Sequence, residues 1–460
     1  MKMSQLDSTL TNSGVIHSDN SEEYGAIRGT LSTARIAMIW LAANLVVTTL
    51  LTGTLFVPGV SWQLSLSLIL AGTSIGAIVL VLIGNMGTRT GLSTMSLTKG
   101  AFGLKGSYFT TVANVVILMG WCWVQAILAG VTVNFLIEQL TGFSNPILFS
   151  VLCQTLVVGL AVLGHEGISK VEPWLALIIL VIMMYIFSVA FNTYSLAEFS
   201  NLKVDSTLGW SAVTVLDVVI ATAISWTVLS AEFNRLAKSQ SSGIVGSSIG
   251  YICSTVLSMS LGATAIAFVA LQGAEITSFD PITIVKAFGL PFAIVIFLSV
   301  MATNTMVVYG MISSVVNMTP SSKIKFVPTA LVLGVISIIG ASWLAMLDEF
   351  TSFLTLVGTL FVPVFAIMIA DYYIIKKSSY HHDILLGKNG RYWYQGGFNI
   401  PAITVWILGV LVSLLLTYQV ESTIGVTIPT FIFSFFAYLI WMILAKEQVG
   451  IKEKSIHLAS

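Results

Sequence analysis

The chain has 460 residues, of which 56% are hydrophobic and only 9% charged, with 20 basic residues balanced by 20 acidic ones. A soluble protein of this size carries about a quarter charged residues, so the composition excludes a soluble enzyme or binding module and describes an all-α polytopic membrane protein. A β-barrel is excluded as well, because its strands alternate over about 10 residues while this chain runs in long apolar stretches.

Crossing a bilayer takes about 20 apolar residues in helical form. Hydropathy and helix breakers place twelve spans near 34–56, 61–85, 108–138, 146–164, 168–192, 209–231, 243–272, 284–317, 327–346, 350–375, 401–419 and 425–445. The more polar stretch 86–107 is expected to lie at the membrane interface. Ahead of the first span, the tail is polar and acidic (Asp19, Glu22, Glu23) and lacks the basic-then-apolar start of a cleavable signal peptide. With both termini cytoplasmic, all of the 20 Lys and Arg residues except Lys203 and Lys286 fall on the inner side, as the positive-inside rule requires. Cys122, Cys153 and Cys253 fall within apolar helices and read as packing residues.

Polar residues in mid-span mark where irregular backbone lines a cavity. Span one carries "AANLVVTTLLTGTL" (42–55), in which Asn44, Thr48, Thr49, Thr52 and Gly53 interrupt the apolar run. Span six carries "ATAISWTVLSAEFNR" (221–235), with Ser225, Thr227 and Ser230 around Trp226. The two lie five spans apart, the spacing of an inverted five-plus-five repeat with a broken helix in each half and the ligand site at the breaks. The plainer alternative is that small and hydroxylated residues only let helices pack closely.

Span three contains "GWCWVQ" (120–125). Trp121 and Gln125 stand at i and i+4 on one helix face, whereas Trp123 points elsewhere, to lipid or a neighbouring helix. An indole face beside an amide suits a flat heteroaromatic ligand, stacked on the ring and read at its edge; Trp226 could supply a second face. Aromatic packing with an interhelical amide bond is the alternative. In span eight, "SVMATNTMVVYG" (299–310) puts Ser299, Thr303 and Asn304 on or near one face, able to hold a dehydrated cation or merely to bond back to the preceding turn. Asp217, inside span six, is a functional candidate because intramembrane acids are expensive, unless water reaches it in an outer vestibule. Glu232 could carry a proton or pair with Arg235.

Taken in order, these stretches resemble the nucleobase:cation symporter family, first class, in its bacterial cytosine-permease-like branch. The resemblance rests on "GTRTGLSTMSLTKGAFGLKGS" (87–107), "GWCWVQ", "SAEFNR", the "TN" and "YG" of span eight, and "IADYYI" (369–374), and it covers nearly the whole chain. It implies a leucine-transporter-like fold: twelve helices, ten in two inverted repeats (31–200 and 201–376) and two accessory (377–446), between cytoplasmic tails 1–30 and 447–460. It also implies uptake of a nucleobase or similar planar nitrogen heterocycle (cytosine, purine, hydroxymethylpyrimidine) in symport with a cation, Na⁺ or H⁺, by a monomer in the cell membrane with no other cofactor and no nucleic-acid partner. Substrate contacts carry over to Trp121, Gln125, Ser225, Trp226 and Asn304, with Asn44 at the break of span one. Thr303 and Ser299 stand where the ion is held, and Asp217 could serve proton coupling. Two departures matter. The first of the paired hydroxyl positions of sodium-coupled members is Ala302, and a further polar substrate contact of some relatives falls at Val308. A same-fold transporter of amino acids is the main rival. No HExxH, nucleophile elbow or selectivity-filter pattern supports an enzyme or channel. Gly358 and Pro363 in "LVGTLFVPVF" make span ten a candidate gate.

Overall fold

A computed structural model describes residues 27–163, 168–316, 324–386, 388, 390–420 and 422–459. The acidic tail with Lys2, Asp19, Glu22 and Glu23, and Lys323, lie outside the described residues. The described chain is helical throughout its apolar parts. In order, the helices are α1 (Thr33–Asn44), α2 (Val47–Thr54), α3 (Trp62–Thr90), α4 (Thr94–Phe102), α5 (Gly106–Thr141), α6 (Pro146–Leu163), α7 (Ile168–Thr193), α8 (Leu196–Ser200), α9 (Ala212–Thr227), α10 (Ser230–Asn234), α11 (Gln240–Leu271), α12 (Pro281–Phe288), α13 (Leu290–Val316), α14 (Phe326–Gly340), α15 (Phe350–Ile369), α16 (Ile400–Tyr418) and α17 (Thr427–Ala459). Seven are long and apolar enough to cross a membrane, and a bent pair, α1 with α2, makes an eighth span. Four shorter apolar helices, in α6, α7, α9 and α14, complete the set. This is a multi-pass membrane protein.

Burial sorts the helices. The buried share of the most apolar window falls from 83% in the span that contains α15 and 72% in α5 and α11 to 22% in α16 and 17% in α17. The first three therefore form the protein interior, and the last two turn mostly apolar side chains such as Ile407, Leu411, Phe436 and Ile440 outward.

Span one breaks between α1 and α2 with a bend of 59°. Leu45 (ψ 65°) and Val46 (φ −124°, ψ 154°) leave the helical region. The run Val46-Val47-Thr48-Thr49 lowers local helix propensity, and Asn44 supplies the brace. Its Oδ1 accepts from Thr49 Oγ1 (3.0 Å) across the break, and its Nδ2 donates to Ser254 and Thr255 of α11. Span six is interrupted less sharply: α9 ends at Thr227 and α10 begins at Ser230, with Leu229 (φ −107°, ψ 2°) between them, and among the described helices only α1 with α2 bends by more than 40°.

Each broken span is gripped through glycines, which let backbones approach. On α11, Gly246 and Gly250 lie against α1, and Gly262 meets Gly53 of α2 so closely that a Cβ on Gly262 would sit 1.8 Å from the Leu50 carbonyl oxygen. On α3, Gly76, Gly84 and Gly87 receive Ala223, Asn234 and Ala231 of α9 and α10. Between them, α5 and α13 pack lengthwise.

Segment 86–107, expected at the membrane interface, is helical and largely covered by protein. Its first residues complete α3, and α4 is buried inside the protein, including Thr94, Thr98 and Lys99. A helix this short stays folded there because its ends are capped. Glu232 of α10 accepts from the Thr94 backbone N–H (3.2 Å) and hydroxyl (2.7 Å), while Thr94 Oγ1 accepts from the Ala231 N–H. The C-terminal side is held by Tyr394 and Asn399, which donate to the Gly100 and Ala101 carbonyls. The stretches "TGLST" and "SAEFNR" therefore recognise each other. Glu232 thus ties α10 to α4.

Candidate functional site

The face of α5 bearing Trp121 and Gln125 meets α13 and the start of α15. Trp121 is half-buried, and its indole stands edge-on to Phe350 (centroids 5.8 Å apart) and Phe353 (5.4 Å), with Phe350 itself stacked on Phe279 at 3.8 Å. Gln125 is buried, yet its Oε1 has no hydrogen-bond partner among the described residues. An amide oxygen left unpaired in an apolar interior costs about 1–3 kcal/mol, so this oxygen is either strained or reserved for a ligand. Trp123 turns away to the end of α14, against Trp343 and Gly340.

From α13, Asn304 reaches the same turn of α5: its Nδ2 donates to the Cys122 carbonyl (3.2 Å) and to Gln154 Oε1 of α6 (2.8 Å). Its Oδ1, like Gln125 Oε1, is buried without a partner. One turn earlier, Ser299 Oγ is a third such atom, while Thr303 Oγ1 donates back to the Ser299 carbonyl (3.0 Å). Ala302 and Val308 add no polar atom here. Gln125 on α5 and Asn304 and Ser299 on α13 thus each keep a buried oxygen without a partner among the described residues, on two helices that pack together.

The remaining candidates stand differently. Ser225 is buried and donates to the Thr222 carbonyl (2.7 Å), and Trp226 packs against the cluster of Ile36, Trp40, Ala77 and Leu80. Trp121 belongs to the other, larger cluster, and no ring contact joins the two indoles. Asn44 is the brace of the span-one break, with both ends of its amide engaged by the protein. Asp217, expected as a possible proton carrier, has both carboxylate oxygens engaged: they accept from the backbone N–H groups of Val426 (2.6 Å) and Thr427 (3.1 Å), capping α17. It also lines a cavity of about 570 Å³ between α9, α15, α16 and α17 that contains Gly358 but none of Trp121, Gln125, Asn304 or Ser299. Asp217→Asn is therefore expected to preserve uptake and its pH dependence while lowering stability by roughly 1–2 kcal/mol through the weakened cap. Proteoliposome uptake at two pH values and detergent melting check this; lost pH dependence with unchanged melting would return Asp217 to ion coupling.

Two side chains escaped the sequence reading. Gln154, a lone amide in "LCQTLVV", carried the same signal as Gln125 and joins Asn304 to Ser337. Asn234 is fully buried, accepts from Trp40 Nε1 (2.8 Å) and donates to Ser247 (3.1 Å), tying α10 to α1 and α11. Its position in an exposed-looking "EFNR" end concealed it.

Broken spans gripped by neighbouring helices around buried polar groups define a membrane permease. Residues 28–444 match the family of permeases for cytosine/purines, uracil, thiamine and allantoin. Relatives include a putative purine-cytosine permease of Bacillus subtilis, 24% identical over 90% of this chain and 94% of that protein, and a purine-uracil permease of Arabidopsis thaliana, 24% identical over 89% and 72%. The cytosine permease of Escherichia coli is 24% identical over 72% of this chain and 75% of its own length. Among solved structures, inward-facing Mhp1 superposes with a TM-score of 0.78 at 18% identity, covering 92% of both chains. Mhp1 closed around bromovinylhydantoin, described as a nucleobase-cation-symport-1 family transporter, gives 0.74 at 18% identity over 96% of both. The chain belongs to this permease family, and it is a transporter, not an enzyme.

Proposed function

We propose that the protein imports a planar nitrogen heterocycle, a nucleobase or a close relative, in symport with a cation by alternating access. The observation that carries this is a pair of buried acceptors without a partner among the described residues: Gln125 Oε1, one turn along α5 from Trp121, and Asn304 Oδ1, whose amide nitrogen bonds the Cys122 carbonyl of the same helix. A ring that stacks on Trp121 and offers N–H groups at its edge satisfies both. Relatives named for purines, cytosine, uracil and allantoin all carry such rings. In this reading Ser225 and Trp226, which here bond to Thr222 and pack around Trp40, respectively, reach the ring only when span six moves during alternating access, and twelve helices cross the membrane with both termini inside. Exchange of partners supports a five-plus-five repeat: α3 grips span six as α11 grips span one, and α5 and α13 pair with each other. α16 and α17 are then accessory, and the protein works as a monomer.

For the coupling ion, Ser299 Oγ, without a partner among the described residues, and the Thr303 hydroxyl are the hard oxygens on α13, which packs against α2 of the broken span one. Coupling follows if ring and ion favour the same conformation, which makes their affinities reciprocal. The test is uptake into proteoliposomes of cytosine, uracil, hypoxanthine, hydroxymethylpyrimidine, hydantoin and allantoin, with and without a Na⁺ gradient. Saturable uptake of at least one ring, stimulated at least tenfold by an imposed gradient, is expected. Uptake of amino acids and of no ring would overturn the substrate class, and stimulation that survives Na⁺ removal but not a protonophore would assign the ion as H⁺.

A further inference from the structure

We propose that Gln154 and Ser337 are positioning residues that lock the Asn304 amide with its oxygen toward the substrate, so that the transporter selects rings presenting a hydrogen-bond donor there. The inference rests on the proposed function and narrows its substrate class.

A polar line runs through the protein from α14 to the site. Ser337 Oγ donates to the Gly334 carbonyl (2.8 Å) and so accepts from Gln154 Nε2 (2.9 Å). That fixes the other end of the Gln154 amide, Oε1, facing Asn304 Nδ2 at 2.8 Å. The Cys122 carbonyl, which can only accept, holds the same Nδ2 at 3.2 Å. A flipped Asn304 would set its oxygen against two acceptors in a dry interior, where unpaired polar groups are most costly. All three side chains are fully buried, so water does not compete. The outcome is one fixed valence, Asn304 Oδ1, unpartnered among the described residues. Gln125 Oε1 has no comparable bond to orient it, so it adapts to the ligand while Asn304 discriminates.

Cytosine and uracil share a shape but reverse donor and acceptor along one edge, as do adenine and hypoxanthine. They isolate this effect from size. Dissociation constants for the four bases are to be measured on the purified full-length protein. The wild type is expected to separate the members of at least one pair by tenfold or more. Gln154→Leu, and independently Ser337→Ala, should shrink that ratio to threefold or less, while Gln154→Glu, which keeps an oxygen toward Asn304, retains it. A merely structural amide would weaken both members of a pair equally and leave the ratio intact. The proposal is overturned if the wild type binds both members within threefold, or if the ratio persists in the variants while Trp121→Ala still loses binding. If Gln154→Leu does not fold, the Ser337→Ala ratio decides. Wild-type protein that binds none of the four bases overturns this proposal, and the proposed function falls with it only if hydroxymethylpyrimidine, hydantoin and allantoin are not bound either.

Discussion

Gly262→Val is expected to abolish folding and transport, and Gly262→Ala to cost about 1–3 kcal/mol or more. The ideal Cβ at Gly262 falls 1.8 Å from the Leu50 carbonyl oxygen and 3.2 Å from Gly53 Cα, and the reciprocal Cβ on Gly53 falls 2.0 Å from the Met259 carbonyl oxygen. These neighbours are backbone, which cannot swing aside as a side chain does, so α2 and α11 must separate. Separation also pulls at the Asn44 amide, because Ser254 and Thr255 ride on the same helix as Gly262. The damage therefore reaches the span-one break, and with it the packing of α2 against α13, which carries the oxygens assigned to the coupling ion. Gly159 of α6 is the control, since a Cβ there meets nothing within 4 Å. Size-exclusion profiles and melting in detergent read the result. Wild-type melting of Gly262→Ala would refute the close crossing.

Trp121→Ala is expected to weaken binding of the ring by about 1–3 kcal/mol, or roughly 5- to 150-fold, with uptake falling in parallel. The indole is framed edge-on by Phe350 and Phe353, so Trp121→Phe should retain part of the affinity through the surviving aromatic face. Stability loss alone would also reduce uptake, which makes Gln125 the decisive companion. Its Oε1 has no hydrogen-bond partner among the described residues. Gln125→Met should therefore leave melting unchanged or raise it, yet weaken ligand binding by about 1–3 kcal/mol as a ligand donor loses its acceptor. An amide kept for interhelical packing would give the reverse: lower melting and unchanged affinity. Dissociation constants and melting curves on the same preparations separate the two.

Much of the fold was legible in the chain itself. The polar residues Asn44, Thr48, Thr49 and Thr52 within an apolar run announced the break in span one. Trp121 and Gln125 declared themselves by i, i+4 spacing, and Trp123 by its turn away from them. The roles of isolated polar residues were less legible. Asp217 and Glu232 looked alike as intramembrane acids, and both turned out to cap helices from elsewhere in the sequence. Asn44 looked like a ligand contact and holds the break. Gln154 looked like nothing and orients Asn304.

The sequence by itself determined that this is a helical membrane protein of several apolar spans, and that the first of them breaks. Each of these is local: hydropathy over some 20 residues and backbone propensity over a few. Only the tertiary structure decided which polar groups are spent and which are free. Asp217 finds its donor 209 residues away at Val426, and Asn44 its acceptor 210 residues away at Ser254. Gln125, Asn304 and Ser299 keep an oxygen without a partner among the described residues. In hydrocarbon a polar atom must be satisfied by whatever the fold brings to it, so its role is set by distant neighbours that no local pattern records.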